Sequence, residues 1–190
     1  MTQKDFFHDL IGKIESAEIP YMVTGSFASS FHGEPRASND SDIIIAPTLQ
    51  QLEVFIQSLG SDYYVDPNTA RDAFYRKTMF NIIDIRRGWK ADLIIRKNRA
   101  FSREEFRRRI SGRIGDIPAM IVSPEDVILA KLEWAKTGQS ELQFRDALGV
   151  AAIQWQELDI DYLMKWGKEL EIDQILTALL EQAKQLQSSE

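Results

Sequence analysis

The sequence predicts an α/β fold, in the α+β sense, with a small mixed β-sheet backed by helices and a helical C-terminal region. Two observations lead to this prediction. Up to residue 122, short β-rich runs alternate with segments of helical periodicity. From Ser123 onward, the apolar residues follow helical spacing alone. We therefore expect two parts, residues 1–122 and 123–190.

Apolar residues spaced three and four apart predict the first helix, and β-branched runs bounded by Gly, Pro or Asn predict the strands. Ser102 to Glu105 has the form of a capping box and predicts a helix start, as does Ser123-Pro124. The predicted strands are Tyr21–Thr24, Asp40–Ile45, Tyr63–Val65, Met79–Ile85, Ala91–Ile95, Arg113–Ile114 and Ile117–Val122. The predicted helices before residue 122 cover residues 3–17, 26–33, 48–59, 67–74 and 102–109.

Composition limits the classes of protein to be considered. The chain has 190 residues, of which 44% are hydrophobic and 27% are charged, as in soluble globular proteins. The absence of cysteine excludes disulfides and thiolate metal sites, and two histidines disfavour a histidine-rich zinc site. No run approaches 18 apolar residues, and the first ten residues lack a signal-peptide pattern. We therefore expect a cytoplasmic protein with no membrane partner.

Positive charge is concentrated in one segment. From Arg86 to Arg113 there are eleven Lys and Arg residues against three acids, a local net charge of +8. Because the whole chain carries −6, the remainder carries −14. Such segregation favours a polyanionic partner for this segment, and a solvated basic surface is the alternative.

The stretch Tyr21–Ala46 contains the main chemical signal. Side chains alternate along a strand, so Asp40 and Asp42 are expected on the same face, leading into Ile43–Ile45. Two like charges in this position repel unless a cation or hydrogen-bond donors lie between them. Mg²⁺ suits such a pair, because it takes one or two carboxylates and completes its shell with water and phosphate oxygens.

Gly25 and Ser26 stand between the first predicted strand and a predicted helix. Backbone N–H groups converge at such a helix start, where the helix dipole is positive. Glycine allows close approach of the backbone, and the serine hydroxyl adds a donor. The pair is therefore a candidate phosphate-binding site.

The order strand, Gly-Ser, helix, loop and Asp-x-Asp strand resembles the head motif of the DNA polymerase β-like nucleotidyltransferases. Within this superfamily it is most similar to the AbiEii-type and minimal nucleotidyltransferases of toxin–antitoxin systems. Thirteen residues separate Ser26 from Asp40, a longer gap than in the compact subgroup. The resemblance covers residues 20–150. The matching positions are Gly25, Ser26, Ala28, Gly33, Arg36, Ser38, Asp40 and Asp42.

The resemblance implies that residues 1–122 form a catalytic domain that moves a nucleoside monophosphate from an NTP to a hydroxyl. Gly25, Ser26 and Arg36 would bind the nucleotide. Asp40 and Asp42 would hold Mg²⁺, or Mn²⁺, on the phosphates. A third carboxylate at the start of a neighbouring strand would join a second metal. Asp92, which precedes Leu93-Ile94-Ile95, is assigned to it, with Asp84 as the rival.

Lys131 lies on an apolar stripe of the helix that starts at Pro124, so it has to snorkel, form a pair or meet a buried anion. The resemblance implies that a lysine from the helical region contacts the triphosphate, and Lys131 is assigned to this role. Arg145-Asp146 also recurs in AbiEii-type proteins. The alternative for these residues is a structural salt bridge, either between Asp146 and Lys131 or between Arg145 and an acid. Residues 155–190 contain no motif that we can assign.

The acceptor and the class of protein remain open at this level. The basic segment Arg86–Arg113 and the resemblance to toxin nucleotidyltransferases favour RNA, tRNA in particular, and a cognate toxin or antitoxin as partner. A nucleotide-binding but non-catalytic, antitoxin-like protein is one alternative. An RNA-binding module that uses only the basic segment is another.

Overall fold

The computed structural model describes residues 2–34, 40–138 and 140–187, with the backbone alone for Asp40. Arg36 and Ser38, two positions of the predicted motif, lie outside these residues. The described chain contains strands and helices in the predicted order, so the predicted fold class is confirmed. The strands are β1 Tyr21–Thr24, β2 Asp40–Ile45, β3 Tyr63–Tyr64, β4 Met79–Asp84, β5 Lys90–Ile95, β6 Ile110–Ile114 and β7 Ile117–Ile121. The helices are α1 Gln3–Ser16, α2 Gly25–His32, α3 Leu49–Ser58, α4 Pro67–Arg76, α5 Ala100–Arg107, α6 Pro124–Gly138, α7 Glu141–Ile153, α8 Ile160–Glu169 and α9 Asp173–Gln187.

Within the described residues the strands form one mixed sheet of seven, in the order β3-β4-β5-β2-β1-β7-β6. β2 pairs with β5 in parallel, and β1 pairs with β7 in parallel. The remaining pairs, which include β1 with β2 and β4 with β5, are antiparallel. The strand with the Asp-x-Asp pattern, β2, therefore lies in the interior of the sheet between β1 and β5.

The two faces of the central strands differ in burial. In β2, Ser41, Ile43 and Ile45 are fully buried, whereas Asp42 and Ile44 between them are partly exposed. β5 repeats the pattern: every second residue from Ala91 to Ile95 is buried, and the others are half-buried. Each fully buried aliphatic side chain contributes about 1.5–3 kcal/mol relative to an exposed one. Burial of one face therefore determines which face carries the acidic side chains.

The described residues divide into two compact units. The first holds residues 2–27 and 40–121 and contains the sheet with α1, α3, α4 and α5. The second holds residues 28–34, 122–138 and 140–187. The assignment of residues 1–122 as a catalytic domain and 123–190 as a helical appendage stays a prediction.

In the second unit, α7 packs against α6 and α9. The end of α2 belongs to this unit through His32, whose Nε2–H donates to the Val122 carbonyl at 2.7 Å. Burial lowers the pKa of His32, so the imidazole is neutral at pH 7. His32 therefore has a structural partner within this unit. Among the described helices none combines the length and apolarity needed to cross a membrane.

The capping box predicted at Ser102 is wrong. α5 begins two residues earlier, with Arg99 as its N-cap residue and without a side-chain cap. Ser102 is buried inside the helix, and its hydroxyl accepts a hydrogen bond from Arg99 Nε at 3.0 Å. Phe101 and Ser102 are both buried in the first turn of α5, and tertiary packing of this kind outweighs a local capping preference.

Candidate active site

A row of polar side chains crosses four neighbouring strands on the less buried face of the sheet. Asp42 of β2 is paired with Asp92 of β5 in the parallel register. On the far side of β5, Asn81 of β4 is paired with Asp92, and on the far side of β2, Thr24 of β1 is paired with Asp42. Paired residues project from the same face, and adjacent strands lie about 4.8 Å apart. The structure therefore brings together two of the three predicted carboxylates.

Asp40 begins β2, and its backbone is paired with Lys90. Its side chain lies outside the description, so its role in a metal site stays a prediction. The predicted role of Arg36 in nucleotide binding also stays a prediction, because the whole residue lies outside the described chain.

Gly25 follows β1 directly and lies against Asp42. Its φ is +62°, a left-handed conformation that side chains disfavour. A Cβ at this position would overlap Asp42 Oδ2 and would lie 2.7 Å from Asp42 Cγ. Two features therefore require glycine at this position: the left-handed backbone angle and the space that the Asp42 carboxylate occupies.

We predict that Gly25→Ala displaces the Asp42 carboxylate and weakens Mg²⁺–NTP binding. The left-handed angle alone costs about 1–2 kcal/mol for a residue with a side chain. Gly60→Ala is the matched control, because Gly60 has φ +63° with no atom within 4 Å of the added Cβ. Calorimetric titration and urea unfolding of both variants separate the two effects. Equal losses of stability with intact nucleotide binding in Gly25→Ala would contradict the prediction.

Two side chains that the sequence did not single out hold the Asp92 carboxylate. Asn81 Nδ2 donates to Asp92 Oδ1 at 2.5 Å. Lys90 Nζ lies 2.9 Å from Oδ1 and 3.3 Å from Oδ2. Lys90 is two residues before Asp92 on the same strand, a spacing visible in the sequence, whereas the contact with Asn81 depends on the β4–β5 register. Asp92 is thus oriented from two sides, and its side chain is 14% exposed.

Asp84, the rival third carboxylate, has a different environment. It is 3% exposed and lies on the buried face of β4. Its Oδ1 accepts the backbone N–H groups of Arg86 at 2.8 Å and Arg87 at 3.1 Å. These hydrogen bonds close the turn between β4 and β5. Asp84 thus has a structural role in this turn. The strand register favours Asp92 over Asp84 as the partner of Asp42.

The donor set at this face suits a hard divalent cation. Asp42 and Asp92 offer carboxylate oxygens from paired strands, the ligand type that Mg²⁺ prefers. Two unit charges ~5 Å apart repel by on the order of 3 kcal/mol at an effective dielectric constant of ~20, and a cation relieves this. Among the described side chains no cluster of three or more His, Asp or Glu is arranged around a metal position. The three-carboxylate set therefore stays a prediction that depends on Asp40.

The start of α2 lies beside this row. α2 begins at Gly25, immediately after the Thr24–Asp42 pair, and the N–H groups of a first helical turn point out of the helix start. Ser26 in the first turn is half-buried. Backbone donors and the positive end of a helix dipole are thus adjacent to a carboxylate pair, the arrangement that a metal–triphosphate requires.

Lys131 is buried in the second unit and forms an ion pair. Its Nζ lies 2.8 Å from Asp146 Oδ2 and 2.9 Å from Gln143 Oε1. Both charged side chains are 7% exposed. The structural salt bridge, the alternative for these residues, is thus present, and Arg145 beside it is exposed. Contact of Lys131 with a nucleotide stays a prediction.

The basic segment Arg86–Arg113 is partly neutralised by local contacts. Arg86 pairs with Asp62 at 2.9 Å, and Arg107 pairs with Glu104 at 2.6 Å. Arg109 stacks on the Phe106 ring and donates to the Phe106 carbonyl. Lys97 and Arg103 are exposed, as is Arg107. The segment therefore combines structural arginines with exposed cations.

Comparison with known proteins shows structural similarity without a match in sequence. No protein-family model and no curated protein sequence matches this chain. A crystal structure of an antigenic nucleotidyltransferase-like protein from Paracoccidioides brasiliensis is similar, with a TM-score of 0.58, 15% identity, and coverage of 94% of this chain and 92% of that one. The crystal structure of ANT(2″)-Ia in complex with adenylyl-2″-tobramycin is also similar, with a TM-score of 0.55, 14% identity, and coverage of 94% and 97%.

At this sequence identity the similarity shows the fold and gives no information about the substrate. It supports the coarse part of the predicted resemblance, while the AbiEii and toxin–antitoxin subtype has no support from these comparisons. The chain has a nucleotidyltransferase-like fold.

Proposed function

We propose that the protein is a metal-dependent nucleotidyltransferase that moves a nucleoside monophosphate from an NTP to a hydroxyl acceptor. The observation that carries the proposal is the register that pairs Asp42 with Asp92, next to the helix start at Gly25. A carboxylate pair beside a helix N-terminus matches the charges of a metal–triphosphate. The nucleotidyltransferase-like fold supports the same reaction class.

In this proposal each residue has a defined task. The first N–H groups of α2 and the Ser26 hydroxyl donate to the β- and γ-phosphates, and Arg36 adds positive charge. Asp40, Asp42 and Asp92 would hold Mg²⁺ or Mn²⁺, which when bound neutralises phosphate charge and activates the attacking hydroxyl. Asn81 orients Asp92 through its 2.5 Å hydrogen bond. The acceptor oxygen bonds to the α-phosphorus while the bond from this phosphorus to the α–β bridging oxygen breaks. Pyrophosphate leaves on the opposite side, and the hydroxyl proton passes to solvent.

For the acceptor we propose RNA, with tRNA as the first candidate. The +8 charge of the segment Arg86–Arg113 supports this choice, because phosphate contacts attract polyanions irrespective of sequence. β5, which carries Asp92, lies within that segment. A cationic small molecule would instead favour the acidic remainder of the chain. A toxin or antitoxin as protein partner and a cytoplasmic location stay proposals from the sequence.

The function is tested by incubating the purified protein with each α-labelled NTP, Mg²⁺ and one of two acceptors, total RNA or an aminoglycoside. We expect labelled RNA with one preferred NTP and no label without Mg²⁺. Labelling of the aminoglycoside alone would keep the reaction class and reject the RNA acceptor. Metal-dependent NTP binding without label on either acceptor would favour a non-catalytic, nucleotide-binding partner protein. RNA binding with a steep salt slope and no response to NTP or metal would favour an RNA-binding module.

A charge-reversal variant tests the RNA surface. We predict that Lys97→Glu/Arg103→Glu/Arg107→Glu weakens RNA binding and lowers the slope of log affinity against log salt by about three, since each phosphate contact contributes about one. All three side chains are exposed, and reversal of Arg107 also removes its exposed pair with Glu104. Arg109 supports α5 through Phe106 and is left intact.

The matched control reverses three exposed lysines of the C-terminal helices, Lys165, Lys168 and Lys184, which changes the net charge equally. Fluorescence anisotropy with labelled tRNA at several salt concentrations gives the slopes, and NTP binding is measured in parallel. Identical slopes in the two triple variants would show that the basic segment is a solvated surface.

A further inference from the structure

Lys90 lies next to the polar row, two residues before Asp92. It is the first residue of β5, and its backbone is paired with that of Asp40. Its side chain projects from the same face as that of Asp92, two residues further on. The ammonium lies 2.9 Å from one Asp92 oxygen and 3.3 Å from the other. The protein thus places its own cation where two strands bring acidic residues together.

This arrangement places a positive charge beside the Asp92 carboxylate, which is paired with Asp42 across β2 and β5. The Asp92 side chain is 14% exposed and that of Lys90 is 38% exposed, so water screens the Lys90–Asp92 pair less than it screens a surface pair. A largely buried carboxylate that loses such a partner keeps the cost of its desolvation without the compensating attraction. In the metal-free protein, Lys90 therefore supplies a positive charge that stabilises the ionised Asp92.

The same contact opposes a metal ion. Mg²⁺ binds carboxylate oxygens at about 2.0–2.1 Å, and the Lys90 ammonium lies within hydrogen-bond distance of both Asp92 oxygens. The Asn81 amide takes one lone pair of Oδ1 and can stay, because a carboxylate has about four lone-pair sites. An ion entering at Asp92 would lie beside the Lys90 ammonium, and the repulsion between the two cations opposes its binding.

We infer that Lys90 is a built-in counter-ion of Asp92, which stabilises the metal-free protein and competes with Mg²⁺ for this carboxylate. The second half of this inference rests on the proposed function, because it presumes a metal at this site. The first half concerns the protein alone.

The first half is tested in EDTA with Lys90→Met, Asp92→Asn and the double variant. Methionine keeps the length of the side chain without the charge. We expect Lys90→Met to lower the midpoint of thermal unfolding by about 2–4 °C, the shift that corresponds to ~1 kcal/mol in a chain of this size. Asp92→Asn in the Lys90→Met background should recover most of this loss. Equal midpoints for wild type and Lys90→Met, or no recovery in the double variant, would overturn the counter-ion role.

The second half is tested by calorimetric titration of Mg²⁺ and Mn²⁺ without nucleotide. We expect Lys90→Met to bind the metal about tenfold more tightly than the wild type, since a nearby unit charge is removed. Lys4→Met is the control, because it breaks a lysine–aspartate pair of 2.6 Å with Asp116, outside the row. Unchanged or weaker metal binding in Lys90→Met would overturn the competition.

The two experiments also separate this inference from the proposed function. If wild type and Lys90→Met bind neither metal nor NTP, the proposed function and the competition both fail. The unfolding experiment in EDTA, with the two single variants and the double variant, still decides whether Lys90 is the counter-ion of Asp92.

Discussion

Asp42→Asn is expected to abolish nucleotidyl transfer while the protein stays folded. Asparagine has nearly the same shape, but it removes the charge that faces Asp92 across the β2–β5 pair. We expect a loss of transfer of more than about 100-fold, because residues that only support metal ligands already cause losses of 10- to 100-fold. The free energy of unfolding should stay within about 0.5 kcal/mol of the wild type or rise, since a repulsive charge is removed.

Transfer is measured with the α-labelled NTP assay, and Mg²⁺–NTP binding is measured by calorimetry. Asp72→Asn is the matched control, because Asp72 lies on α4 in an exposed ion pair with Arg76. Equal Mg²⁺–NTP binding by wild type and Asp42→Asn would reject the metal site at Asp42. It would leave the fold assignment unchanged.

Lys131→Met is expected to destabilise the protein by about 3–5 kcal/mol, the cost of leaving one member of a buried ion pair without its partner. Asp146 would then be a carboxylate with 7% exposure facing a thioether. Gln143, which also accepts from Lys131, would lose its donor. Urea unfolding of wild type and variant measures the difference.

The double variant Lys131→Met/Asp146→Leu separates the structural role from a nucleotide contact. Replacing both members of a buried pair by apolar residues of similar volume is often neutral, so stability should return. NTP affinity of this folded variant then reports on the predicted contact alone. If stability returns and NTP affinity equals that of the wild type, Lys131 serves the fold and its assignment to the triphosphate is wrong. A variant that regains stability but binds NTP more weakly would support the contact.

The main features of the fold could be predicted from local patterns. Helical spacing in residues 3–17 and β-branched runs such as Ile43–Ile45 report which face of an element is buried, and this depends on residues close in sequence. The position of Gly25 after a strand and before a helix was predictable for the same reason. At Ser102 the local signal failed, because burial of Phe101 and Ser102 extends α5 past the predicted start.

By itself, the sequence determined the mixed fold, the helix start at Gly25, and one strand face for Asp42. These follow from periodicity and turn chemistry, which act over a few residues. Only the tertiary structure decided that Asp42 is paired with Asp92, that Asn81 and Lys90 hold Asp92, and that Asp84 closes a turn. It also decided that Lys131 meets Asp146. The reason is physical: strand register and helix packing join residues distant in the chain, and burial of many side chains together selects them.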